Sequence, residues 1–341
     1  MSHYCKSNPK SHEASWYPSK TAPHINWVAR EIASFSRVCS IISSAIINNM
    51  IDYKPGKLGS TRCGNSLFRW GLRTYVMGVI NVSPDSFSGD GLTKVEAALT
   101  RAKRFAAEGA DIIDIGGEST RPGSPPLSVD QELQRVLPVV ERLAKEIAAP
   151  LSVDTYKLEV ARQAVDAGAS MINDVWGLRK EPMLATLAAE KGVPIVLMSN
   201  QRDSPCQDIM STVISDLKRA IEQALAAGVP CDNIIVDPGI GFGKTQEQNL
   251  EIIRRLDELK VLGRPILLGS SRKSFIGWVL ELTPEQRSKG ITYIPPRDRR
   301  WEGTAATIAI AIAKGADIVR VHDVREMARV CKMSDAIVRG V

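Results

Sequence analysis

KVEAALTRAKRFAAEGADIIDIGG, residues 94–117, contains one complete unit of the fold. Residues 94–110 form an amphipathic stretch of helical length that closes on Glu108-Gly109-Ala110, where glycine supplies the left-handed residue that ends a helix. DIIDIGG, 111–117, is then a short Ile-rich run, as expected of a strand buried on both faces. The alternation continues in both directions. Upstream lies YVMGVIN (75–81); downstream follow LSVDT (151–155), MINDV (171–175), PIVLMSN (194–200), IIVDPG (234–239), PILLGSS (265–271) and IVRVHD (318–323). Helix-length segments at 129–147, 157–169 and 304–316 separate several of these runs, and the last two again end on Gly-Ala. Strands alternating with helices imply a parallel sheet, and eight such units predict an α/β protein of the (β/α)8 TIM-barrel class with an N-terminal extension. An open doubly wound sheet is the alternative, but no G-x-G-x-x-G follows the first strand.

The first 72 residues read differently. They are rich in Ser, Lys and Asn, poor in acids, and show sustained apolar periodicity only over 28–47. The expected organisation is an extension over 1–72, poorly ordered or partly helical, and a barrel over 73–341. A formal charge of +6 permits an anionic partner, yet the basic residues are scattered and do not form the stripe that nucleic acid demands. Six cysteines lie far apart without a C-x-x-C pair, which excludes a zinc knuckle and a disulfide framework. No apolar stretch approaches the ~20 residues that span a bilayer. The expectation is a cytoplasmic protein with no membrane and no nucleic-acid partner.

On a TIM barrel, chemistry gathers at the C-terminal ends of the strands. The tips here carry Asn81, Glu118, Asp154, Asn173 with Asp174, Asn200, Asp237, Ser271 with Arg272 and Lys273, then Arg320 with His322. A single Asp or Asn among them reads as a helix cap; as a set inside apolar sequence they need one another or a ligand, because buried charge is costly unless paired. Asp154, Asn173, Asp237 and Lys273 suit a flat heterocycle with an amidine-like edge, since a carboxylate accepts two parallel hydrogen bonds. Asn81, Arg320 and His322 suit an anion, and the loops after the last strands are a frequent phosphate site. A heterocycle bearing a phosphate is the joint inference. With His322 the only histidine after residue 24, a His-based zinc site is excluded, and a hard Mg2+ between phosphate and the oxygens of Asn81 and Asp85 fits better. Two long Gly/Pro/Ser-rich loops, NVSPDSFSGDG (81–91) and GGESTRPGSPPLS (116–128), carry Asp85 and Arg121 and read as closing on substrate.

In this order along the chain, NVSPDSFSGDG, GGESTRPG, SVDT, IND, VDPGIGFGKT, GSSRKSFIG and VRVHDV resemble the motifs of the dihydropteroate synthase family of pterin-binding enzymes. The resemblance runs from about residue 75 to the C-terminus. It implies condensation of 7,8-dihydropterin-6-ylmethyl diphosphate with 4-aminobenzoate, giving dihydropteroate and diphosphate, with Mg2+ as cofactor. By similarity, Asp154, Asn173, Asp237 and Lys273 hold the pterin, while Asn81, Arg320 and His322 hold the diphosphate beside Mg2+ at Asn81 and Asp85. Thr120 and Arg121, with Pro84 and Phe87, enclose the leaving group and the aminobenzoate, whose carboxylate meets Ser271. The implied catalytic set is thus Asn81, Asp85, Arg121, Lys273, Arg320 and His322. The resemblance further implies a sulfonamide-sensitive homodimer joined through helices around the last two strands, of the stand-alone bacterial type. The chain departs from the family pattern at Ser88-Gly89-Asp90-Gly91, at Met198-Ser199-Asn200, in an insertion over 291–301, and in its N-terminal extension. Two other readings compete: a methyltetrahydrofolate:corrinoid methyltransferase, disfavoured by SSRKS and RVHD, and a pterin-binding paralogue without transfer activity.

Overall fold

The computed structural model describes residues 58–82, 91–119, 125–203, 208–291 and 300–341, with backbone alone for 91–93. After an antiparallel hairpin, β1 (Ser60–Cys63) and β2 (Ser66–Arg69), come eight strands: β3 Tyr75–Asn81, β4 Ile112–Gly116, β5 Leu151–Asp154, β6 Met171–Asp174, β7 Ile195–Met198, β8 Ile234–Asp237, β9 Leu267–Leu268 and β10 Ile318–Val321. All eight pair in parallel in the order β8-β7-β6-β5-β4-β3-β10-β9, and a bridge from Val236 to Ile266 joins the two ends of that order. The sheet therefore closes into the expected barrel, strand for strand.

At least one helix follows every barrel strand. They are α1 Gly91–Ala107, α2 Val129–Glu146, α3 Leu158–Asp166, α4 Met183–Lys191, α5 Ile209–Ala226, α6 Gln246–Arg254, α7 Ser274–Glu281, α8 Pro284–Ser288, α9 Trp301–Lys314 and α10 Val324–Val338. Local chemistry sets their ends. Ser128 caps α2 and Thr245 caps α6, each in a reciprocal box with the glutamine three residues on. Gly315 closes α9 at φ 103, which frees Ala316 and Asp317 to enter β10. Among the described residues no helix is long and apolar enough to cross a membrane.

Each barrel strand has two faces. The outward phase packs against the helices in one continuous core that includes Ile80, Ile113, Ile115, Val153, Ile172, Leu197, Val236 and Val319. The inward phase starts at the N-terminal end with a second apolar layer: Met77, Ile112, Met171, Val196, Ile235, Leu267 and Ile318.

The hairpin covers that layer, which moves the expected domain boundary. Cys63, Phe68 and Trp70 are buried against the inward apolar residues, and Phe68 meets Tyr75 edge-on at 4.8 Å between ring centroids. Trp70 Nε1 donates to Thr61 Oγ1 (2.9 Å), and Thr61 Oγ1 in turn donates to the Asp232 carbonyl. The compact unit that holds the barrel runs from Pro55 to Val341, so residues 58–72 belong to it and not to the extension. Two four-residue strands are too short to show periodicity in sequence; only the open barrel floor explains why they fold. The helix expected over 28–47 lies outside the described residues.

Candidate active site

Two residues along from the apolar inward layer, the same faces of the strands turn polar. Ile112 is followed by Asp114, Met171 by Asn173, Ile235 by Asp237 and Ile318 by Arg320, because side chains at i and i+2 share a face of a strand. Asp154 joins them from β5, level with Asn173 in the register. A barrel dry at one end thus becomes charged at the other, within one turn of strand periodicity.

Arg320 is the hub. Its Nε donates to Asp114 Oδ2 (2.7 Å) and its Nη2 to Asp154 Oδ2 (2.6 Å), while Asn173 Nδ2 lies 3.3 Å from the same Asp114 oxygen. Against the cost of burial, the two carboxylates hold the Arg320 guanidinium above its ordinary range. The Oδ1 atoms of Asp114 and Asp154, and the hydroxyl of Ser152, are buried without a hydrogen-bond partner. Burial pushes the Asp154 carboxyl up to about 7; Arg320 opposes this and Asp114 adds to it. Two acceptor oxygens therefore face the interior with nothing on them, a costly arrangement unless a ligand brings donors.

Sequence reasoning missed Asp114, because it looked at strand tips and Asp114 lies inside β4. The signal was available: it is a carboxylate in an apolar run, at the same parity as Gly116 at the tip. The structure also regroups Arg320. It was expected with Asn81 and His322 as an anion binder, and it stands instead among the carboxylates of the heterocycle group.

Lys273 lies opposite, at the entry to α7. Its Nζ donates to the Ile240 carbonyl and rests 4.6 Å from the Phe242 ring centroid. Burial brings the ammonium down to about 7, with Asp237 pulling it back up. Burial likewise raises the Asp237 carboxyl, against Lys273 and the backbone N–H of Gly239. Beside them Val175, Met198 and Phe242, with Tyr156 and Trp176, form an apolar shelf. Charged groups next to an apolar cluster suit a planar, polar-edged ring.

His322 and Ser271, expected at different substrates, touch each other. His322 Nδ1 is 3.0 Å from Ser271 Oγ, and that oxygen also accepts the His322 backbone N–H at 3.2 Å. Burial, with Arg320 and Arg272 nearby, brings the imidazole down to about 3. A neutral imidazole at pH 7 offers an anion a hydrogen bond and no charge.

Other tips are structural. Asp174 accepts the backbone N–H groups of Trp176 and Leu178 and shapes the turn after β6. Asn200 donates to the Val175 carbonyl and accepts from Arg202 N, while Ser199 and Gln201 both donate to Asp216. The departure at Met198-Ser199-Asn200 is therefore absorbed by an internal polar network, and Met198 still lines the apolar shelf. Glu118 pairs with Lys157 at 2.6 Å and accepts the Leu127 N–H, so it ties the two ends of the second loop. Asn81 ends β3 half-buried. Pro84, Asp85, Phe87, Thr120 and Arg121 lie outside the described residues, and no cluster of three His, Cys, Asp or Glu side chains fit to hold a metal occurs among the described ones.

Residues 77–322 match the family model described as "Pterin binding enzyme". The chain is 50% identical over 266 residues to the dihydropteroate synthase of Bacillus subtilis (strain 168), covering 78% of this chain and 89% of that one. Among solved structures it is similar to the dihydropteroate synthase of Clostridium difficile determined in the presence of pteroic acid, with TM-score 0.74, 47% identity and coverage of 80% of this chain and 99% of that one. A Xanthomonas albilineans dihydropteroate synthase with 4-aminobenzoic acid gives TM-score 0.74 and 41% identity over 83% of this chain and 98% of that one.

Proposed function

The chain belongs to the pterin-binding enzyme family, and we propose that it acts as a dihydropteroate synthase, joining 4-aminobenzoate to 7,8-dihydropterin-6-ylmethyl diphosphate. The observation that carries this reading is the pair of buried, unpartnered carboxylate oxygens on Asp114 and Asp154 beside Arg320. A pterin edge offers the two N–H donors that such oxygens lack, and its ring fits the shelf of Val175, Met198 and Phe242.

In the reaction the C–O bond to diphosphate breaks first, the electron-rich pterin delocalises the cation left at its methylene carbon, and the aromatic amine nitrogen then forms a bond to that carbon. The electron pair leaves with the diphosphate, and the amine proton passes to solvent. A neutral aromatic amine is nucleophilic enough that no strong base is needed, which suits a site whose single histidine is held neutral. Asp154 and Asp114 orient the ring, Asp237 and Lys273 engage its far side, and His322 with Ser271 meets substrate oxygens at the mouth. Bound Mg2+ supplies charge neutralisation at the diphosphate. Such an ion takes one or two protein oxygens and otherwise phosphate; the Asn81 amide at the end of β3 is a suitable hard donor, and Asp85 is the expected second. Arg121, Thr120, Pro84 and Phe87 complete the enclosure in this reading, and a sulfonamide competes with 4-aminobenzoate.

We further propose a cytoplasmic homodimer. Ile310, Met333 and Ile337 are exposed on α9 and α10, helices beside the last two strands, and apolar side chains concentrated there suit a contact between two copies.

The test is diphosphate release by the purified protein, with and without 4-aminobenzoate. Release that depends on aminobenzoate, is lost on chelation, returns with Mg2+ and falls at least about a hundredfold in Lys273→Ala supports the reading. Pterin binding without release would overturn it in favour of a binding paralogue.

A further inference from the structure

The turn over 270–273, between β9 and α7, presents both Ser271 and Lys273 to the mouth, and the residue between them has an uncommon backbone. Arg272 sits at φ 58, in the left-handed region that non-glycine residues rarely occupy. Its guanidinium pairs with Asp323. A turn of this kind persists only where its surroundings hold it.

The hold comes from the start of α9. The Arg272 N–H donates to Thr304 Oγ1 at 3.1 Å, and the Arg272 carbonyl accepts from Arg300 Nη1 at 2.8 Å. Thr304 Oγ1 in turn donates to the Arg300 carbonyl at 2.9 Å, so the two holding groups brace each other. Arg300 is only 3% exposed, although a guanidinium is expensive to bury and a neutral donor would serve for packing alone. The carbonyl it grips belongs to the peptide linking Arg272 to Lys273. That peptide's N–H closes the turn onto the Ser270 carbonyl at 3.2 Å, so its plane sets the direction in which the Lys273 side chain leaves the backbone.

We propose that Arg300 is a positioning residue: through the Arg272 carbonyl it holds the 270–273 turn in its left-handed form and thereby aims Lys273 and Ser271 at the substrates. The inference rests on the reading that those two side chains bind substrate. Arg300 itself touches neither substrate nor reacting atoms.

Arg300→Met fills the same space without a donor; Arg300→Lys retains a cation with one reachable donor; Arg300→Ala leaves room for added guanidinium. Wild-type turnover is measured first, so that failure of the synthase reading shows there alone. In Arg300→Met, pteroic acid affinity by calorimetry and kcat/KM for 4-aminobenzoate are each expected to fall about tenfold or more, the scale of a misplaced group. The pH dependence of pteroate binding near 7 is expected to move upward as Lys273 leaves its buried position. Arg300→Lys recovers part of the loss, and millimolar guanidinium partly restores Arg300→Ala, all measured well below the melting midpoint. Wild-type affinity, kinetics and pH profile in a folded Arg300→Met would overturn the proposal. So would losses that follow melting alone and that neither Lys nor guanidinium repairs, or a crystal structure of Arg300→Met in which 270–273 keeps its backbone path.

Discussion

Asp114 and Asp154 share one guanidinium, so the barrel interior holds one carboxylate more than Arg320 can neutralise. Asp114→Asn removes that excess while keeping an oxygen for Arg320. The expected outcome is an unfolding midpoint that stays level or rises, an Asp154 carboxyl that returns toward its ordinary range, and pteroate affinity about tenfold weaker for the lost charged acceptor. Calorimetric affinity equal to wild type would refute this use of Asp114. His322 gives a pH effect with a definite sign. Its folded value, about 3, lies below the unfolded value of 6.5, so the unfolded chain binds the extra proton between those limits and stability falls as pH drops from 6.5 toward 3. Relative to His322→Gln, the wild type should lose ground in urea unfolding at pH 5 compared with pH 7.5; parallel behaviour of the two would show that His322 is not held neutral by the fold. Asp154, Asn173, Asp237, Lys273, Arg320 and His322 were all legible as polar residues ending apolar runs. Their partnerships were not, since each pairing joins residues on different strands.

At the level of the element, the segment after β8 shows how a loop is shaped by what it must avoid. Gly239 and Gly243 both have positive φ, and a Cβ on either would fall 2.0 Å from the Ser199 carbonyl or 2.2 Å from the backbone of Gln201 and Arg202. Gly239 N–H also donates to Asp237 Oδ1 at 2.7 Å, so the close approach orients a site carboxylate. Gly239→Ala is expected to cost about 3 kcal/mol or more and to weaken pteroate binding, as backbone must move. Gly71 is the control: φ is 80, but no atom lies within 4 Å of an added Cβ, so Gly71→Ala should cost about 1 kcal/mol and leave binding intact. Urea midpoints and calorimetry compare the pair, and equal costs would show that strain alone, without the clash, decides. The glycine spacing in VDPGIGFGKT was plain in the sequence. The backbone that demands it is some forty residues upstream and was invisible there.

For the whole molecule, the two ends of the barrel have separate duties. Phe68→Ala opens the floor beneath Met77 and Ile318 and should cost about 3–5 kcal/mol, while turnover per folded molecule stays near wild type, because the site lies at the other end. Reduced turnover at full folding would show the ends to be coupled. Ile337, 71% exposed on α10, bears on association: Ile337→Glu should shift sedimentation from dimer to monomer, and an unchanged monomer in the wild type would end the dimer proposal. The strand and helix alternation and the barrel class were determined by the sequence alone, because a strand buried on both faces declares itself as a short apolar run and an amphipathic helix in a period of about 3.6 residues. The hairpin's place on the barrel floor, the neutrality of His322, and the grouping of Asp114 and Asp154 around Arg320 were decided only by the tertiary structure. Arg320 and Asp114 are 206 residues apart in the chain. Only closure of the sheet puts β4, β5 and β10 around one interior, and burial there sets which charges pair and which protons are held.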